Sequence, residues 1–378
     1  MRVSRRGTVD PFIVMDVMEA ARAAEAAGRR IIHMEVGQPG TPAPAAARAA
    51  VAAAMQAGPL GYTVALGLPE LRAGIAGLYR RWYGVDLDPA RVIVTAGSSA
   101  AFLLAFTALF EAGDRVGLGL PGYPSYRHIL HALSLAPVGI ETRAAARFQP
   151  EPDALPTGLA GLILASPANP TGAMLDRAAL GALIAAARDR GIAVVSDEIY
   201  HGIQYGARPV SALEVTDDVY VVNSFSKYFS MTGWRVGWMV VPDAHVRAVE
   251  RLAQNMFICP PHAGQVAALA ALEATEELER NVAVYAANRR LLLDGLAAAG
   301  VPVAPPDGAF YLYADVSART GDACAYAARI LDLAGVAVTP GVDFDPARGH
   351  RFIRLSYART TAEVAEGMGR LASFLARG

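Results

Sequence analysis

The feature of this sequence that most constrains its fold is an alternation of short apolar runs with longer helical patterns. Six runs, each bounded by Gly, Pro or Asp, are typical of buried strands: Val92–Thr95, Arg115–Leu120, Leu162–Ser166, Ile192–Ser196, Val219–Asn223 and Val236–Val241. Between most of them lie helical patterns, such as Ala100–Glu111, Arg177–Arg190 and Asp243–Asn255. Strands that are apolar on both faces and separated by helices indicate a mostly parallel sheet covered on both sides. The sequence therefore predicts an α/β core over residues 45–280.

The two ends of the chain follow a different pattern. A helix at Val14–Ala27 precedes a short strand at Ile31–Val36. After residue 280 the sequence predicts a long helix to Ala299, a strand at Ala309–Ala314, a helix at Ala323–Leu333, a strand at Phe352–Ser356 and a final helix from Thr361. We expect residues 1–44 and 281–378 to form a smaller α+β domain. A ligand cleft and a closing motion would then lie where the two domains meet.

Composition and charge exclude several classes of protein. Hydrophobic residues make up 53% of the 378 residues and charged residues 18%, which excludes a mostly disordered chain. A net charge of -1 without any basic block favours neither nucleic acid nor an anionic membrane as a partner. The longest apolar stretch, Ala100–Phe110, falls short of the ~20 residues that cross a bilayer. With only two cysteines and no recognisable signal peptide, we expect a cytoplasmic protein that acts on small molecules.

A single lysine, Lys227, is the most informative residue. Lys and Arg together number 34, and all the others are arginine. A solvated surface lysine is the ordinary alternative, but this chain uses arginine wherever only a cation is needed. Lysine can lose its proton when desolvated, act as a nucleophile or base, and form imines with carbonyl compounds, whereas arginine stays charged. Because Lys227 also follows a predicted strand, where parallel sheets bind ligands, we predict a chemical role for it.

A possible anion site lies between the strand at Val92–Thr95 and the helix that follows. Gly97, Ser98 and Ser99 offer backbone N–H groups, hydroxyls and the positive end of a helix dipole to a phosphate. Capping of the helix by Ser98 or Ser99 is the alternative. Three more potential phosphate ligands come from one stretch of the chain: Ser224, Ser226 and Arg235.

Two further strands end in polar side chains. Asp197 ends an apolar strand and so places a carboxylate at the ligand-binding edge of the sheet, where it could keep a heterocyclic nitrogen protonated. Capping of the next turn is an alternative of comparable weight. Asn169 follows the preceding strand and lies between Pro167 and Pro170, which indicates a firmly held turn.

Two other functional patterns are weaker. Gly117, Gly119 and Gly122 match the dinucleotide pattern GxGxxG, but the first two fall within a predicted strand, and Pro121 and Pro124 favour a loop after it rather than a helix. A nicotinamide-dependent oxidoreductase is therefore a distant alternative. The histidines show no HExxH pattern and no set of three ligands, so we expect no metal site.

Taken together, these residues resemble the class I/II aminotransferases, which are fold-type I pyridoxal-phosphate (PLP) enzymes related to aspartate aminotransferase. Nine segments occur in the family's order over nearly the whole chain: Gly37 in VGQP, Tyr62 before GLPELR, Gly97-Ser98-Ser99, Tyr123 in PGYP, Asn169-Pro170-Thr171-Gly172, Asp197-Glu198-Ile199-Tyr200, Ser224-Phe225-Ser226-Lys227, Arg235, and Arg354 in IRLS. The resemblance implies a large domain with a mostly parallel, seven-stranded sheet, plus the smaller domain built from both ends.

The resemblance also implies roles for single residues around the cofactor. Lys227 would hold PLP as an aldimine and then move the proton between the substrate Cα and the cofactor. Asp197 would pair with the pyridine nitrogen and keep it cationic. Tyr200 and Asn169 would bond the 3-oxygen of the ring, and Tyr123 would stack on its face.

Phosphate and substrate ligands are implied in the same way. The cofactor phosphate would be held by Ser98, Ser99, Ser224, Ser226 and Arg235. Tyr62 would reach the phosphate of a neighbouring subunit, which requires a homodimer. Arg354 would clamp the substrate α-carboxylate with help from Gly37 and Asn169.

The function expected from this resemblance is a ping-pong aminotransferase that moves an amino group between an α-amino acid and a 2-oxo acid. A PLP-dependent C–S β-lyase is the alternative on the same scaffold. The sequence leaves the substrate pair open, and four apolar residues are equally suited to a substrate pocket, the core or a dimer contact: Phe12, Ile13, Phe257 and Phe310.

Overall fold

The structure is a computed structural model that describes residues 1–377. Its strands are β1 Ile32–His33, β2 Val92–Thr95, β3 Arg115–Leu120, β4 Ala136–Glu141, β5 Gly161–Ala165, β6 Ala193–Asp197, β7 Tyr220–Ser224, β8 Gly237–Val240, β9 Tyr311–Asp315, β10 Val336–Ala337, β11 Thr339–Pro340 and β12 Phe352–Ser356. Seven of them form the central sheet in the order β2-β8-β7-β6-β5-β3-β4. β8 is antiparallel to both of its neighbours, and the other pairs are parallel. The predicted mostly parallel, seven-stranded sheet is thus confirmed.

Helices cover this sheet, and further helices lie in the first and last parts of the chain. They are α1 Ile13–Ala26, α2 Ala45–Ala57, α3 Pro69–Tyr83, α4 Ser98–Leu109, α5 Pro124–Ala132, α6 Arg177–Arg188, α7 Asp243–Phe257, α8 His262–Ala271, α9 Thr275–Ala298, α10 Ala323–Ala334 and α11 Thr361–Leu375. Among residues 1–377, no helix is both long and apolar enough to cross a membrane.

The two faces of the central sheet are buried against different helices. In β5, Leu162 and Leu164 belong to one apolar cluster, and Ile163 between them belongs to another. Phe106 of α4 and Val249 of α7 pack in the second cluster, while α3 and α6 contribute to the first. Because successive strand residues point to opposite faces, burial on both sides demands a continuous apolar run. This is why these strands were recognisable in the sequence.

The first and last parts of the chain meet in smaller sheets. β1 pairs in parallel with β10, with Ile32 opposite Val336. β12 lies between β9 and β11 in an antiparallel three-stranded sheet, which places Arg354 opposite both Tyr313 and Thr339. The two ends therefore assemble together, whereas the domain limits at residues 45 and 280 stay a prediction.

Some elements differ from the predictions. The strand expected at Ile31–Val36 has only two strand residues, because β10 offers it only a two-residue partner. The edge strand β4 was not predicted, since it contains Pro137 and Gly139, which disfavour strands, and is only partly buried. Pro124 begins helix α5 rather than continuing a loop, since proline is well tolerated in the first turn of a helix.

Candidate active site

A cavity of about 200 Å³ lies at the carboxyl ends of β5 and β6, next to the sheet that carries Arg354. Its walls bring together eleven of the thirteen site residues predicted from the sequence: Gly37, Ser98, Ser99, Tyr123, Asn169, Asp197, Tyr200, Ser226, Lys227, Arg235 and Arg354. The carboxyl edge is where open α/β sheets bind ligands. Ser224 and Tyr62 are the two predicted residues that do not line it.

Lys227 lies in the turn after β7 with its amine inside the cavity. Its Nζ donates a hydrogen bond to the carbonyl oxygen of Gly37 at 2.5 Å. Burial and, to a smaller extent, the charges of Arg354 and Arg235 together lower the pKa of Lys227 to about 8, against the opposing effect of Asp197. A sizeable fraction of this amine is therefore unprotonated near neutral pH, as a nucleophile or base requires.

Asp197 ends β6 and is 5% exposed. The Tyr126 hydroxyl donates to its Oδ2, and the backbone N–H of Ile199 donates to Oδ1 at 3.0 Å. Burial raises the pKa of Asp197 to about 6, although both hydrogen bonds and the charge of Lys227 favour the ionised form. Sequence reasoning missed Tyr126, which lies one helical turn after Tyr123 and edge-on to it at 5.3 Å.

An anion-binding cradle opens at the start of α4. Gly97 precedes the helix at a φ of 78°, and no side chain caps it, so capping by Ser98 or Ser99 is the wrong alternative. A Cβ on Gly97 would overlap the Arg235 guanidinium, so this guanidinium lies next to the start of α4. Its Nη1 donates a hydrogen bond to the Thr232 carbonyl at 2.8 Å. Free N–H groups, a helix dipole and a guanidinium together suit a phosphate.

The two serines before Lys227 have different positions. Ser226 lines the cavity. Ser224 is 1% exposed, and its hydroxyl lies 2.8 Å from Ser226 Oγ and 3.1 Å from the Val236 carbonyl. The backbone N–H of Ser226 donates to Ser224 Oγ at 3.1 Å. Ser224 therefore supports the turn that presents Ser226 and Lys227.

Arg354 is a buried cation at the opposite wall. Its Nη1 donates to Asn169 Oδ1 at 2.9 Å, and its Nη2 donates to Thr339 Oγ1 at 3.3 Å and to the Glu35 carbonyl. The guanidinium carbon lies 4.4 Å from the ring centre of Tyr311 and 4.7 Å from that of Phe344, and such aromatic faces stabilise a desolvated cation. Nε is buried without a partner among the described residues, so a donor remains for a ligand.

Tyr311 is a site residue that sequence reasoning missed. Its hydroxyl lies 2.7 Å from that of Tyr200, and its ring passes so close to Gly37 that a Cβ there would lie 2.8 Å from Tyr311 Cζ. Glycine is therefore required at position 37, because the Tyr311 side chain leaves no room for a Cβ there. The sequence predicts a strand at Ala309–Ala314, and nothing in its pattern distinguishes this tyrosine from its buried neighbours.

Apolar side chains close the cavity from the amino-terminal side. Phe12 lies edge-on to Tyr123 at 5.9 Å, and three more residues join it: Val14, Met15 and Val36. Of the four apolar residues considered from the sequence, only Phe12 lines this cavity. Phe310 is fully buried against Tyr200, Phe257 packs on the cluster around α4 and α7, and Ile13 lies outside the walls.

Several remaining residues lie away from the site. Tyr62 is 83% exposed in the loop before α3. Gly117 and Gly119 lie inside β3, where a dinucleotide loop cannot form. Across the described part of the chain, residues 1–377, no cluster of three His, Cys, Asp or Glu side chains is arranged as a metal centre.

The sequence profile of the family described as aminotransferase class I and II matches residues 29–371. The chain therefore belongs to this family and is an aminotransferase. It is 46% identical over 382 residues to the valine–pyruvate aminotransferase of Mycobacterium tuberculosis, covering 99% of this chain and 98% of that one.

Solved structures agree with this assignment. A candidate aminotransferase from Silicibacter pomeroyi superposes with a TM-score of 0.95 at 62% identity, covering 100% of both chains. The aspartate aminotransferase of Thermus thermophilus with maleate superposes with a TM-score of 0.93 at 32% identity, covering 99% of this chain and 100% of that one. Transaminases of this family depend on pyridoxal phosphate.

Proposed function

We propose that the protein is a ping-pong transaminase that carries pyridoxal phosphate on Lys227. One observation supports this most strongly. A single cavity contains an amine whose pKa is lowered to about 8, a buried carboxylate at Asp197, and two guanidiniums, Arg235 and Arg354, on either side. These are the groups needed to hold an aldehyde, a ring nitrogen, a phosphate and a substrate carboxylate.

The residues present fit the cofactor. The cradle at the start of α4, with Arg235, would hold the phosphate, assisted by Ser98, Ser99 and Ser226 and, through the turn, by Ser224. Asp197 would bind the ring nitrogen, Tyr200 and Asn169 the 3-oxygen, and Tyr123 the ring face. When bound, pyridoxal phosphate stores the amino group and accepts the electrons released at the substrate Cα.

The chain's own groups then handle the substrate. Arg354 would bind the α-carboxylate, using the Nε donor that has no partner among the described residues, with Asn169 and the backbone at Gly37 beside it. Lys227 would remove the proton from the Cα of the amino donor and, in the second half of the cycle, supply a proton to the Cα of the amino acid formed from the oxo acid, since its lowered pKa leaves part of the amine free. Phe12 and Tyr123 would exclude water from this reaction.

We propose an amino donor with an apolar side chain, with valine and pyruvate as the first pair to test. The side of the cavity around Phe12 is apolar, with Val14, Met15 and Val36. Among the described residues of this chain that line it, the only arginines are Arg235 and Arg354, and both already have a role. A distal carboxylate would therefore find no further guanidinium in this wall, and the relative named for valine and pyruvate is consistent with that.

We further propose a homodimer in the cytoplasm. Tyr62 is exposed together with other large apolar side chains: Met55, Val64, Met256 and Ile258. An interface over this surface would let Tyr62 contact the phosphate of a neighbouring subunit. The free cysteines Cys259 and Cys324 suit a reducing compartment. Mixing Lys227→Ala chains with Tyr62→Phe chains tests the shared site, because mixed dimers should contain one complete site and recover activity.

The proposed reaction is tested by half-reactions with each common amino acid. We expect the holoenzyme to convert valine to its oxo acid in one turnover and to be reset by pyruvate. Aspartate should react at least about 10-fold more slowly. Release of ammonia without any oxo-acid acceptor would instead indicate β-elimination. Lys227→Ala should abolish turnover, and turnover that survives this substitution would contradict the proposal.

A further inference from the structure

A second cavity, of about 490 Å³, lies outside the site just described. The central sheet contributes one wall, from Pro121 and the segment 142–148. The carboxyl-terminal part contributes the other, from residues 302–304, β9 and the segment that leads into β12. Its volume falls in the range of small-molecule sites, and none of its lining residues belongs to the candidate active site. The proposed catalytic mechanism uses none of the residues that line this second cavity.

Aromatic rings form one side of the second cavity. Phe352 is stacked on Tyr313 with ring centres 4.6 Å apart and planes at 7°, and Phe148 meets Tyr313 edge-on at 6.2 Å. Phe148 and the preceding Arg147 both have a positive φ, of 54° and 55°. Two consecutive residues other than glycine in the left-handed region are costly, and such strain concentrates where a side chain must be held for binding. This wall suits a flat apolar group.

Two guanidiniums at the rim are free. Arg143 and Arg351 are both exposed, and within residues 1–377 neither side chain forms a hydrogen bond or an ion pair. Arg348, the third arginine of the wall, is already engaged by Asp345 at 2.8 Å and by the carbonyls of Leu120 and Thr142. Free guanidiniums beside an aromatic wall match a carboxylate on an aromatic body.

The second cavity is connected to the substrate-binding arginine through packed rings. Tyr313 lies directly opposite Arg354 in the β9–β12 pair. Phe344 lies edge-on to Tyr313 at 6.2 Å and beneath the Arg354 guanidinium at 4.7 Å. Packed rings thus form a continuous physical connection between the second cavity and the support of Arg354.

We propose that this second cavity is a binding site for an aromatic carboxylate, and that its occupancy changes how Arg354 binds the amino donor. The carboxylate contacts Arg143 and Arg351, and the ring lies against Tyr313 and Phe352. The binding part is independent of the proposed function, whereas the effect on the donor rests on it.

The test is equilibrium binding of 1-naphthoate to the holoenzyme. We expect at least about 10-fold weaker binding in Arg351→Gln and in Val303→Trp, which fills the cavity, and unchanged binding in the matched control Arg290→Gln, another exposed arginine without a partner in the described chain. Because Arg351 is exposed, Arg351→Gln should leave the fold intact, and it tests the site even if Val303→Trp does not fold. Equal affinity in all four proteins would overturn the site, since naphthoate would then bind elsewhere on the protein.

A second readout tests the connection. 1-Naphthoate at a concentration that just saturates the wild type should change the KM for the amino donor in the wild type and change it clearly less in Arg351→Gln. A KM that changes equally in both, or in neither, would overturn the effect on Arg354. Failure of turnover itself would count against the proposed function and would leave the binding result valid.

Discussion

Arg354 donates from Nη1 to Asn169 Oδ1 at 2.9 Å, and this bond joins the three-stranded sheet to the residue that follows β5. The two residues are 185 positions apart in the chain, and both line the cavity. Neither part of the chain contains a complete substrate site. The site is assembled only when both parts of the chain are in place.

The guanidinium geometry of Arg354 is the first property to test. Arg354→Lys keeps the charge but loses the planar donors that match a carboxylate, so we expect the KM for the amino donor to rise by about 100-fold, or about 3 kcal/mol. Cofactor content should stay unchanged, since Arg354 holds the substrate and not the cofactor. An unchanged KM would show that another group binds the α-carboxylate.

The close approach of Gly37 and Tyr311 predicts a coupled effect. Gly37→Ala should sharply reduce turnover, because the new methyl group overlaps the Tyr311 ring and displaces the carbonyl that accepts from Lys227. Tyr311→Phe removes the nearest atom, so the double variant should recover part of the activity lost in Gly37→Ala. Additive losses in the double variant would contradict the contact as the cause.

The pKa of Asp197, raised to about 6 by burial, predicts how cofactor affinity depends on pH. A protonated carboxyl cannot stabilise a cationic ring nitrogen, so affinity should fall as pH drops through about 6. The Tyr126 hydrogen bond favours the carboxylate, and its removal in Tyr126→Phe raises the pKa of Asp197 and moves this midpoint to higher pH.

The measurement for Asp197 is the dissociation constant of pyridoxal phosphate between pH 5 and 8. The cofactor phosphate also titrates near pH 6, so the informative quantity is the difference between variant and wild type. Tyr220→Phe, on β7 with its hydroxyl 3.0 Å from His245, is the matched control and should behave as the wild type. A midpoint that moves to lower pH in Tyr126→Phe would refute the assignment.

The lowered pKa of Lys227 predicts the pH dependence of cofactor capture by the apoenzyme. Only the free amine reacts, so the rate should rise with pH to a plateau with a midpoint near 8 rather than 10.5. At pH 7 this gives about 300 times more free amine than an ordinary lysine. In Arg354→Gln the loss of a neighbouring positive charge should raise the pKa and slow capture at pH 7. Stopped-flow absorbance measures the capture rate in the wild type and in Arg354→Gln. A midpoint near 10.5 in the wild type would contradict a lowered pKa for Lys227.

The sequence predicted the central strands to within about one residue because each is buried on both faces, as in β5 with Leu162 and Ile163 on opposite sides. It missed β4, which is only partly buried, since an edge strand carries no continuous apolar signal. Local patterns also located Lys227 and Asp197, because Asp197 ends such a strand and Lys227 follows one. Tyr311 and Tyr126 were missed because their roles depend on contacts across the fold, with Gly37 and with Asp197.

The most direct test of the central claim is borohydride reduction of the holoenzyme followed by peptide mapping. Reduction fixes the cofactor to the amine that carries it, and this chain has one lysine side chain and one amino terminus to choose between. We predict label on the peptide that contains Lys227 and none elsewhere. Label on the amino terminus, or incorporation that persists in Lys227→Ala, would contradict the assignment of Lys227 as the residue that carries the cofactor.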